Sequence, residues 1–362
     1  MLTLNATEDD EDRDIALISF YKTDRAKSQW AAPFHCCIIG DAAVGVGVTR
    51  HILSSAISKL KHGFKLNLGN AALTTLLEGQ TGHLVPVLST SLLESDLLVM
   101  AGRMIGHSVI HGGPTLSGLS PAVVDALIYS TKEMAASKLC MEDCSDVEHR
   151  ETISLVMKER WTEEESSQIR ELCLNWYCPV LTNETNRLLL FQQLLSHAVL
   201  GRAHAQIKQI RKGLKDTGVW PLLATRQDVV PLFFPREAEV QLTPEVILQC
   251  IRWPHAKEAN SDDSDDDVPT GTVSAITGYF RTFIENATSG ILSKLVKFWT
   301  GWEVPPSTLN IEIVKSRGRN HLLTASTCYE RLRIPDHYCS YSGLKSDLMV
   351  CVESVDSGFG LV

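Results

Sequence analysis

Apolar residues recur at the three-to-four-residue spacing of a helix over most of the first 250 positions of the chain. One such apolar face runs over residues 94–111, and the following Gly112-Gly113-Pro114 predicts the end of that helix. A short apolar run over 34–39 instead predicts a buried strand, followed by a tight turn and a helix over 52–60. We therefore expect this part of the chain to be mainly helical.

Capping residues mark further helix starts. Ser120-Pro121 supplies an N-cap and a first-turn proline for a helix predicted to reach residue 136. Thr162-x-x-Glu165 is a capping-box pattern, and Thr243-Pro244 opens another helix. The longest predicted helix covers 186–212, with Gly213 as its C-cap.

The pattern changes after position 270. A helical stripe over 291–299 is predicted to end at Gly301, and alternating apolar positions over 309–313 predict a strand. A last helix is predicted over 344–352. The fold class predicted is α+β, with a larger helix-rich N-terminal lobe and a smaller α+β C-terminal lobe.

The charge of the chain is unevenly distributed. The 362 residues carry a formal net charge of −9. Two tracts, residues 8–14 and 261–267, each have a net charge of −5, so the remainder is nearly neutral. Such tracts repel themselves and stay solvated, which predicts a disordered tail over 1–14 and a linker around the second tract. Without a large basic excess, a dedicated nucleic-acid-binding role is not expected.

No targeting or membrane signal is evident in the sequence. The N-terminus has neither the basic start nor the apolar stretch of a secretory signal, and no apolar run is long enough to predict a membrane span. We therefore expect a cytoplasmic or nuclear protein that makes no membrane contact.

The ten cysteines contain no C-x-x-C pair. Cys140 and Cys144 could face Cys173 and Cys178 around zinc, but this spacing is loose and no histidine supports it, so no metal is expected. His107 and His111 lie four residues apart, which would suit a metal, yet no third ligand is evident. These two histidines are expected to pack at a helix end.

The candidate chemistry lies in the smaller lobe, at Cys328, which follows a strand and a loop. Basic side chains surround this cysteine in the sequence: Lys315, Arg317, Arg319, His321, Arg331 and Arg333. Nearby cations favour a thiolate over a thiol, as a nucleophilic cysteine requires. The residues alone leave two interpretations open, a nucleophile and a buried structural thiol.

Three C-terminal features occur together in a recognisable order. They are F-W-T-G at 298–301, T-A-S-T-C at 324–328 and Phe359, fourth from the last residue. This pattern resembles the C-terminal lobe of HECT-type E3 ubiquitin ligases. Looser similarities in the N-terminal lobe are G-V-T-R at 47–50, A-G-R-M-I-G at 101–106 and R-K-G-L at 211–214. Over residues 30–362 the chain resembles the divergent G2/M-phase-specific type of this family.

The resemblance implies a bilobal α+β HECT domain divided into four parts. These are an acidic disordered tail and N-terminal edge over 1–29, an E2-binding N-terminal lobe over 30–253, a flexible acidic hinge over 254–272 and a catalytic C-terminal lobe over 273–362. It also implies that ubiquitin passes from a charged E2 enzyme to Cys328 as a thioester, and then to a lysine of a protein substrate. No metal or organic cofactor is implied.

The same resemblance suggests accessory roles for four residues. Thr327 is expected to support the thiolate, with a turn-stabilising hydroxyl as the alternative. Phe359 is expected to dock and order the lobes during ligation, with simple packing on its own lobe as the alternative. Ser326 stands in the active-site loop beside them, and His321 is a candidate for assisting proton transfer, with an ordinary surface histidine as the alternative.

Departures from the family pattern leave other functions open. Leu323 takes the place of a usual proline, Ser326 that of a frequent histidine, and His51 that of a usual glutamate. A catalytically inactive adaptor that binds E2 or ubiquitin is one alternative. A cysteine hydrolase is another, and it would need a histidine placed on Cys328 and a third orienting group.

Overall fold

The computed structural model describes residues 2–5, 9–39, 45–66, 73–129, 135–178, 186–254, 268–318 and 321–357. The chain forms two compact units. The first unit comprises residues 1–16, 33–55 and 241–362, and the second comprises residues 17–32 and 56–240. Helices predominate over a smaller sheet region, which confirms the predicted α+β class.

Helices in the described residues are numbered here in chain order. They are α1 (Asp10–Lys22), α2 (Lys27–Trp30), α3 (Val46–His62), α4 (Thr90–Glu94), α5 (Leu97–Ile110), α6 (Pro121–Ile128), α7 (Val147–Leu155), α8 (Glu163–Asn175), α9 (Arg187–Ser196), α10 (His204–Asp216), α11 (Trp220–Thr225), α12 (Val230–Phe233), α13 (Pro244–Cys250), α14 (Thr270–Asn286), α15 (Ser289–Thr300) and α16 (Tyr341–Glu353). Within the described ranges, none of them combines the length and apolar character needed to span a bilayer.

Strands are few and mostly short. They are β1 (Leu2–Asn5), β2 (Cys36–Ile39), β3 (Leu77–Glu78), β4 (Val85–Pro86), β5 (Ile251–Arg252), β6 (Leu309–Val314), β7 (Thr324–Ser326) and β8 (Arg331–Pro335). In the first unit β1 pairs in parallel with β2, and in the second unit β3 and β4 form an antiparallel pair. The predicted strand over 34–39 is confirmed by β2.

In the second unit, helices α5 and α10 pack closely through glycines. A Cβ atom on Gly102 would lie 2.9 Å from the Cα of Gly213, and one on Gly106 would lie 2.1 Å from the hydroxyl oxygen of Thr217. Two helix backbones approach this closely only where side chains are absent or small. The glycines of A-G-R-M-I-G and R-K-G-L, which resemble family motifs, therefore form a helix-packing contact.

Arg103, between those two glycines of α5, fixes the N-terminal part of the second unit. Its guanidinium donates to the Asp216 carboxylate (2.8 Å), the Tyr21 carbonyl (2.8 Å) and the Asp24 carboxylate (2.9 Å). The Arg103 residue is only 7% exposed. A buried guanidinium is tolerated because every side of its donor fork meets an acceptor.

His107, one helical turn further along α5, is packed at the helix end as predicted. It is buried beside the rings of Trp30 and His111, and its Nδ1 lies 2.9 Å from the Tyr21 hydroxyl. Burial, reinforced by His111 and Arg25, lowers the pKa of His107 from 6.5 to about 3. The imidazole is therefore neutral in the folded protein.

This lowered pKa predicts a pH-dependent stability. The unfolded chain binds a proton at His107 below its ordinary pKa of 6.5, whereas the folded chain does so only near 3. The contribution of His107 to the free energy of unfolding is thus complete above pH 6.5 and is lost as the pH falls towards 3. The expected slope is about 1.4 kcal/mol per pH unit between those limits. Denaturant titrations from pH 7 to 4 should show a shallower slope for His107→Gln, and equal slopes would contradict the assignment.

The first unit is organised around a four-stranded sheet in the order β5-β6-β8-β7. Strands β5, β6 and β8 run parallel, and β7 is antiparallel to β8. Helices α14, α15 and α16 share one core with this sheet. That core includes Phe280, Trp299, Leu309, Leu323, Leu332 and Leu348, all fully buried.

Local capping signals are confirmed by the structure. The Ser120 hydroxyl accepts the N–H groups of Ala122 and Val123, and Thr162 forms the predicted capping box with Glu165. Helix α13 begins at Pro244, directly after Thr243, and Gly301 ends α15 with a φ of +94°. A position in this left-handed region favours glycine, because a residue with a Cβ would be strained there.

Three helix predictions were wrong in detail. The helix opened by Pro121 ends at Ile128, well short of residue 136, and residues 130–134 lie outside the described ranges. The long helix predicted over 186–212 is interrupted by a π-helical segment at His197–Gly201. Gly213 is not a C-cap, because α10 continues through it to Asp216 and uses its missing Cβ for helix packing.

The predicted disordered tail over 1–14 was also wrong for its described residues. Leu2–Asn5 form β1, and α1 begins at Asp10. The Asp9 carboxylate accepts the N–H of Asp12 at 2.9 Å, as a helix N-cap does. Carboxylates in the first turn also interact favourably with the positive end of the helix dipole.

The compact units differ from the predicted four-part division. Because Ile251 pairs with Leu309, strand β5 belongs to the sheet of the first unit, although the prediction placed it before the hinge. Residues 33–55 also belong to that unit. Of the predicted hinge 254–272, residues 255–267 lie outside the described ranges, and α14 already begins at Thr270.

Candidate active site around Cys328

Cys328 lies in a single 3₁₀ turn, Thr327–Tyr329, that connects the antiparallel strands β7 and β8. We call residues 326–330 the cysteine turn. At the base of this turn, Ser326 at the end of β7 pairs with Arg331 at the start of β8. Cys328 is exposed, and Tyr329 beside it is 73% exposed. The alternative interpretation of Cys328 as a buried thiol is therefore wrong.

Glu330 closes the cysteine turn in a left-handed conformation, with φ of +52° and ψ of +40°. This conformation is uncommon for a residue other than glycine and persists where surrounding contacts hold it. Its carbonyl accepts two hydrogen bonds, from the indole Nε1 of Trp299 (2.9 Å) and from the backbone N–H of Asn310 (2.9 Å). The last residue of the turn is thus fixed to α15 and to β6.

Arg50, in the first turns of α3, holds the same turn from the other side. Its Nη2 donates to the Glu330 carboxylate at 2.8 Å, and its Nη1 lies 3.3 Å from the carbonyl oxygens of both Thr300 and Thr327. The guanidinium also lies 5.0 Å from the ring centroid of Trp302. We call these contacts of Arg50, Glu330 and Trp302 the arginine bracket.

Two glycines bring the start of α3 against the cysteine turn. A Cβ on Gly47 would lie 1.9 Å from the Thr327 hydroxyl oxygen, so a larger residue at this position would clash with Thr327. A Cβ on Gly45, whose φ is +95°, would lie 3.4 Å from the Cys328 sulfur. Glycine is required at Gly47 by the close approach and is favoured at Gly45 by the left-handed backbone.

The G-V-T-R segment therefore has a local structural explanation. Gly47 admits Thr327, the Thr49 hydroxyl donates to the Phe34 carbonyl at 3.2 Å, and Arg50 forms the bracket. Thr327 packs against this segment. A supporting role of the Thr327 hydroxyl for the thiolate stays a prediction.

The other predicted site residues are placed differently from one another. Ser326 is half-buried at the end of β7, whereas the His321 Nδ1 accepts the backbone N–H of Arg317 at 3.1 Å and so stabilises a turn. Phe359 lies outside the described residues. Leu323, which departs from the family pattern, is fully buried in the core.

The basic surroundings of Cys328 are partly neutralised. Arg331 and Arg333 both reach the Glu312 carboxylate, at 3.4 and 3.2 Å. All three side chains remain nearly half exposed, so these ion pairs are weak. In the part of the chain that the structure describes, no cluster of three metal-ligating side chains includes Cys328.

Arg50 and Glu330 were not identified as site residues from the sequence. Arg50 was noticed only as the end of G-V-T-R, and it lies 280 positions before Glu330. No periodicity or spacing connects residues so far apart. The neighbouring T-C-Y-E-R-L segment was the one local signal that could have drawn attention to Glu330.

A model of the HECT-domain (ubiquitin-transferase) family matches residues 69–362. The chain is 23% identical over 251 residues to a G2/M phase-specific E3 ubiquitin-protein ligase of Gallus gallus, a match that covers 68% of this chain and 32% of that protein. Against the Homo sapiens protein of the same name, identity is 25% over 137 residues, or 36% of this chain and 19% of that protein. The matched regions thus span about a third or less of these relatives.

Proposed function

This chain belongs to the HECT-domain (ubiquitin-transferase) family, and on that premise we propose that it is an E3 ubiquitin transferase that carries ubiquitin on Cys328. The proposed donor is a ubiquitin-charged E2 enzyme, and the proposed acceptor is a lysine of a protein substrate. The observation that supports this role most directly is the exposure of Cys328 on a turn that is held from both sides.

The proposed reaction has two thioester steps. First, the Cys328 thiolate attacks the carbonyl carbon of the E2–ubiquitin thioester, and the E2 cysteine leaves as a thiolate. Second, a neutral substrate amine attacks the new thioester, Cys328 leaves as a thiolate, and the amine proton passes to solvent as the isopeptide bond forms. A cysteine suits both steps because its thiolate is a good nucleophile and a good leaving group. Thioester exchange keeps the acyl group activated, so no cofactor forms part of the proposal.

The rigidity of the cysteine turn supports this chemistry. Two macromolecules must reach Cys328 in turn, which requires an exposed thiol. Each must also meet the sulfur in a reactive orientation, which requires a fixed backbone. The arginine bracket and the two hydrogen bonds to the Glu330 carbonyl supply that second requirement.

A catalytically inactive adaptor is the second candidate function. Ser326 in place of a frequent family histidine is the observation that favours it. The two functions differ in a simple assay, in which the chain is mixed with a charged E2 and the loss of the E2 thioester is followed over time. Discharge that depends on Cys328 supports the transferase, whereas E2 binding without discharge supports the adaptor.

E2 binding is proposed for the second unit, which carries a group of exposed apolar side chains at the end of α8 and the start of α9. Leu174 is 62% exposed, Tyr177 is 97% exposed, and Leu188 is 59% exposed. Contiguous exposed apolar patches mark partner-binding surfaces, and we propose that these side chains form one. Ubiquitin and E2 enzymes act in the cytosol and nucleus, where we propose that this chain works.

We expect the double substitution Leu174→Ser/Tyr177→Ser to weaken E2 binding by about tenfold or more, because apolar anchors dominate interface energies. Biolayer interferometry with immobilised E2 would measure the change. Leu232→Ser is the matched control, since Leu232 is 68% exposed in the same unit but far along the chain in α12. Equal E2 affinities of the double variant and the control would exclude this surface.

A further inference from the structure

A second cluster of reactive side chains lies in the second unit and plays no part in the proposed transfer. It consists of His83, Cys140 and Asp143, whose ligand atoms all lie within 4.8 Å of one another. His83 precedes strand β4, Cys140 directly precedes the short 3₁₀ turn Met141–Asp143, and Asp143 is the last residue of that turn. We call this group the His–Cys–Asp cluster.

The contacts of the cluster converge on one nitrogen. The Nδ1 of His83 lies 2.8 Å from the Oδ1 of Asp143 and 3.4 Å from the sulfur of Cys140. In a catalytic Cys-His-Asp triad the acid and the nucleophile contact opposite nitrogens of the imidazole, so that one orients the ring and the other exchanges a proton. Because both groups here face the same nitrogen, the cluster does not have the geometry of a hydrolase.

We propose that the His–Cys–Asp cluster binds a divalent transition-metal ion, with Zn²⁺ as the best fit. Imidazole nitrogen, thiolate and carboxylate are the three ligand types that Zn²⁺ prefers, with bonds of about 2.0 to 2.3 Å. Tetrahedral geometry at those lengths places ligand atoms about 3.3 to 3.6 Å apart. The present nitrogen–sulfur separation of 3.4 Å already matches, and the nitrogen–oxygen separation of 2.8 Å needs to widen by about 0.5 Å.

The surroundings orient these ligands. The second carboxylate oxygen of Asp143, which is 1% exposed, accepts the backbone N–H of Cys140 at 3.0 Å. Such a hydrogen bond to the outer oxygen is typical of metal-ligating carboxylates. The exposed carboxylate of Glu142 interacts with the Cys140 thiol, and a water molecule would supply the fourth ligand.

The Asp143 carboxylate lies against both His83 and Cys140, and its negative charge favours a cation at this position. On binding, the S–H bond of Cys140 breaks, a sulfur–metal bond forms, and the proton passes to solvent.

A metal here would connect two segments that are distant along the chain. One is the β3–β4 pair that contains His83 between its strands, and the other is the turn of residues 140–143 leading to α7. Since a metal that binds only the folded state stabilises it by mass action, the proposed role is structural.

The test uses the full chain, stripped with a chelator and titrated with Zn²⁺ alone and, separately, with Co²⁺ alone. We expect one Zn²⁺ per chain, proton release in weakly buffered solution, a rise in thermal midpoint, and a thiolate-to-cobalt charge-transfer band. Cys140→Ser and His83→Gln should each weaken Zn²⁺ binding at least tenfold and, for Cys140→Ser, remove the charge-transfer band. Cys339→Ser, which changes an exposed cysteine of the first unit, is the control and should bind as the unchanged chain does.

Two outcomes would overturn the proposal. One is the absence of stoichiometric Zn²⁺ binding by the unchanged chain, and the other is binding that persists equally in Cys140→Ser and His83→Gln. Metal-free thermal midpoints of the two variants provide the folding check. If Cys140→Ser is unfolded without metal, Cys140→Ala replaces it, because a small apolar side chain is the conservative substitute for a partly buried thiol.

Discussion

Replacing Cys328 by alanine is expected to abolish ubiquitin transfer, with the rate of substrate modification falling by roughly three orders of magnitude or more. Both proposed steps need the sulfur, first as the attacking atom and then as the leaving group. No other side chain of the cysteine turn offers a comparable nucleophile, since the hydroxyls of Ser326 and Thr327 are far less acidic than a thiol. Quantifying ubiquitinated product under steady-state conditions measures the effect.

The matched control for this substitution is Cys339→Ala. Cys339 is also an exposed cysteine of the first unit, but its thiol donates to the backbone carbonyl of His337 and lies outside the cysteine turn. Its variant should retain the activity of the unchanged chain. Thermal midpoints of both variants should stay close to that of the unchanged chain, because each removes a single exposed atom. Robust transfer by Cys328→Ala would remove the basis of the proposed mechanism.

Replacing Arg50 by alanine is expected to slow ubiquitin loading of Cys328 by about 10- to 100-fold, equivalent to about 1.4 to 2.7 kcal/mol in the barrier. The variant loses the ion pair with Glu330, two hydrogen bonds to backbone carbonyls and the contact with Trp302. Glu330 then holds its left-handed conformation with fewer partners, and the cysteine turn samples more conformations. Arg50 acts through this turn, so it is a positioning residue.

Further variants distinguish a positioning role of Arg50 from an effect on folding stability alone. Arg50→Lys should recover only part of the rate, because a lysine ammonium cannot occupy three acceptor directions with a planar fork. A double-mutant cycle with Glu330→Gln should give a coupling energy, since the two side chains contact each other directly. Arg281→Ala is the control, because Arg281 pairs with Glu285 on the exposed face of α14. A folded Arg50→Ala variant with an unchanged loading rate would show that the bracket has no part in positioning.

Local signals in the sequence predicted much of the helical structure. Ser120 and Thr162 each marked a helix start correctly, because N-capping depends on hydrogen bonds within a few residues. Thr243-Pro244 also marked a start correctly, through the proline in the first turn of the helix. The end of α15 at Gly301 followed from the same kind of argument. These predictions succeeded because the stabilising contacts lie within one helical turn of the residue that signals them.

Features set by distant contacts were predicted poorly. Gly213 resembles a C-cap in sequence, and only the backbone of α5 packed against it reveals why a glycine stands inside α10. The acidic start of the chain resembles a solvated tail, yet α1 forms there, and its Leu17 and Tyr21 are buried, with the Tyr21 hydroxyl 2.9 Å from the Nδ1 of the distant His107. In both cases the deciding contact is absent from the local pattern.

The candidate site divides in the same way. Cys328 was identified from its basic surroundings and its resemblance to a known loop, both of which are local. Arg50 contacts Glu330, which lies 280 positions further along the chain, and His83 contacts Asp143, 60 positions away. No spacing rule connects residues so far apart. The reactive residue of a single loop could therefore be predicted from the sequence, whereas the residues that contact and position that loop could be identified only from the fold.

A single-turnover experiment tests the central claim, that ubiquitin is carried on Cys328, most directly. A pre-charged E2, freed of E1 and ATP, is mixed with the chain, and the products are separated on a non-reducing gel with and without added thiol. We predict a ubiquitin adduct of the unchanged chain that thiol removes, a slower-forming and thiol-resistant ester in Cys328→Ser, and no adduct in Cys328→Ala. A thiol-labile adduct that persists in Cys328→Ala would show that another cysteine carries ubiquitin and would contradict the account.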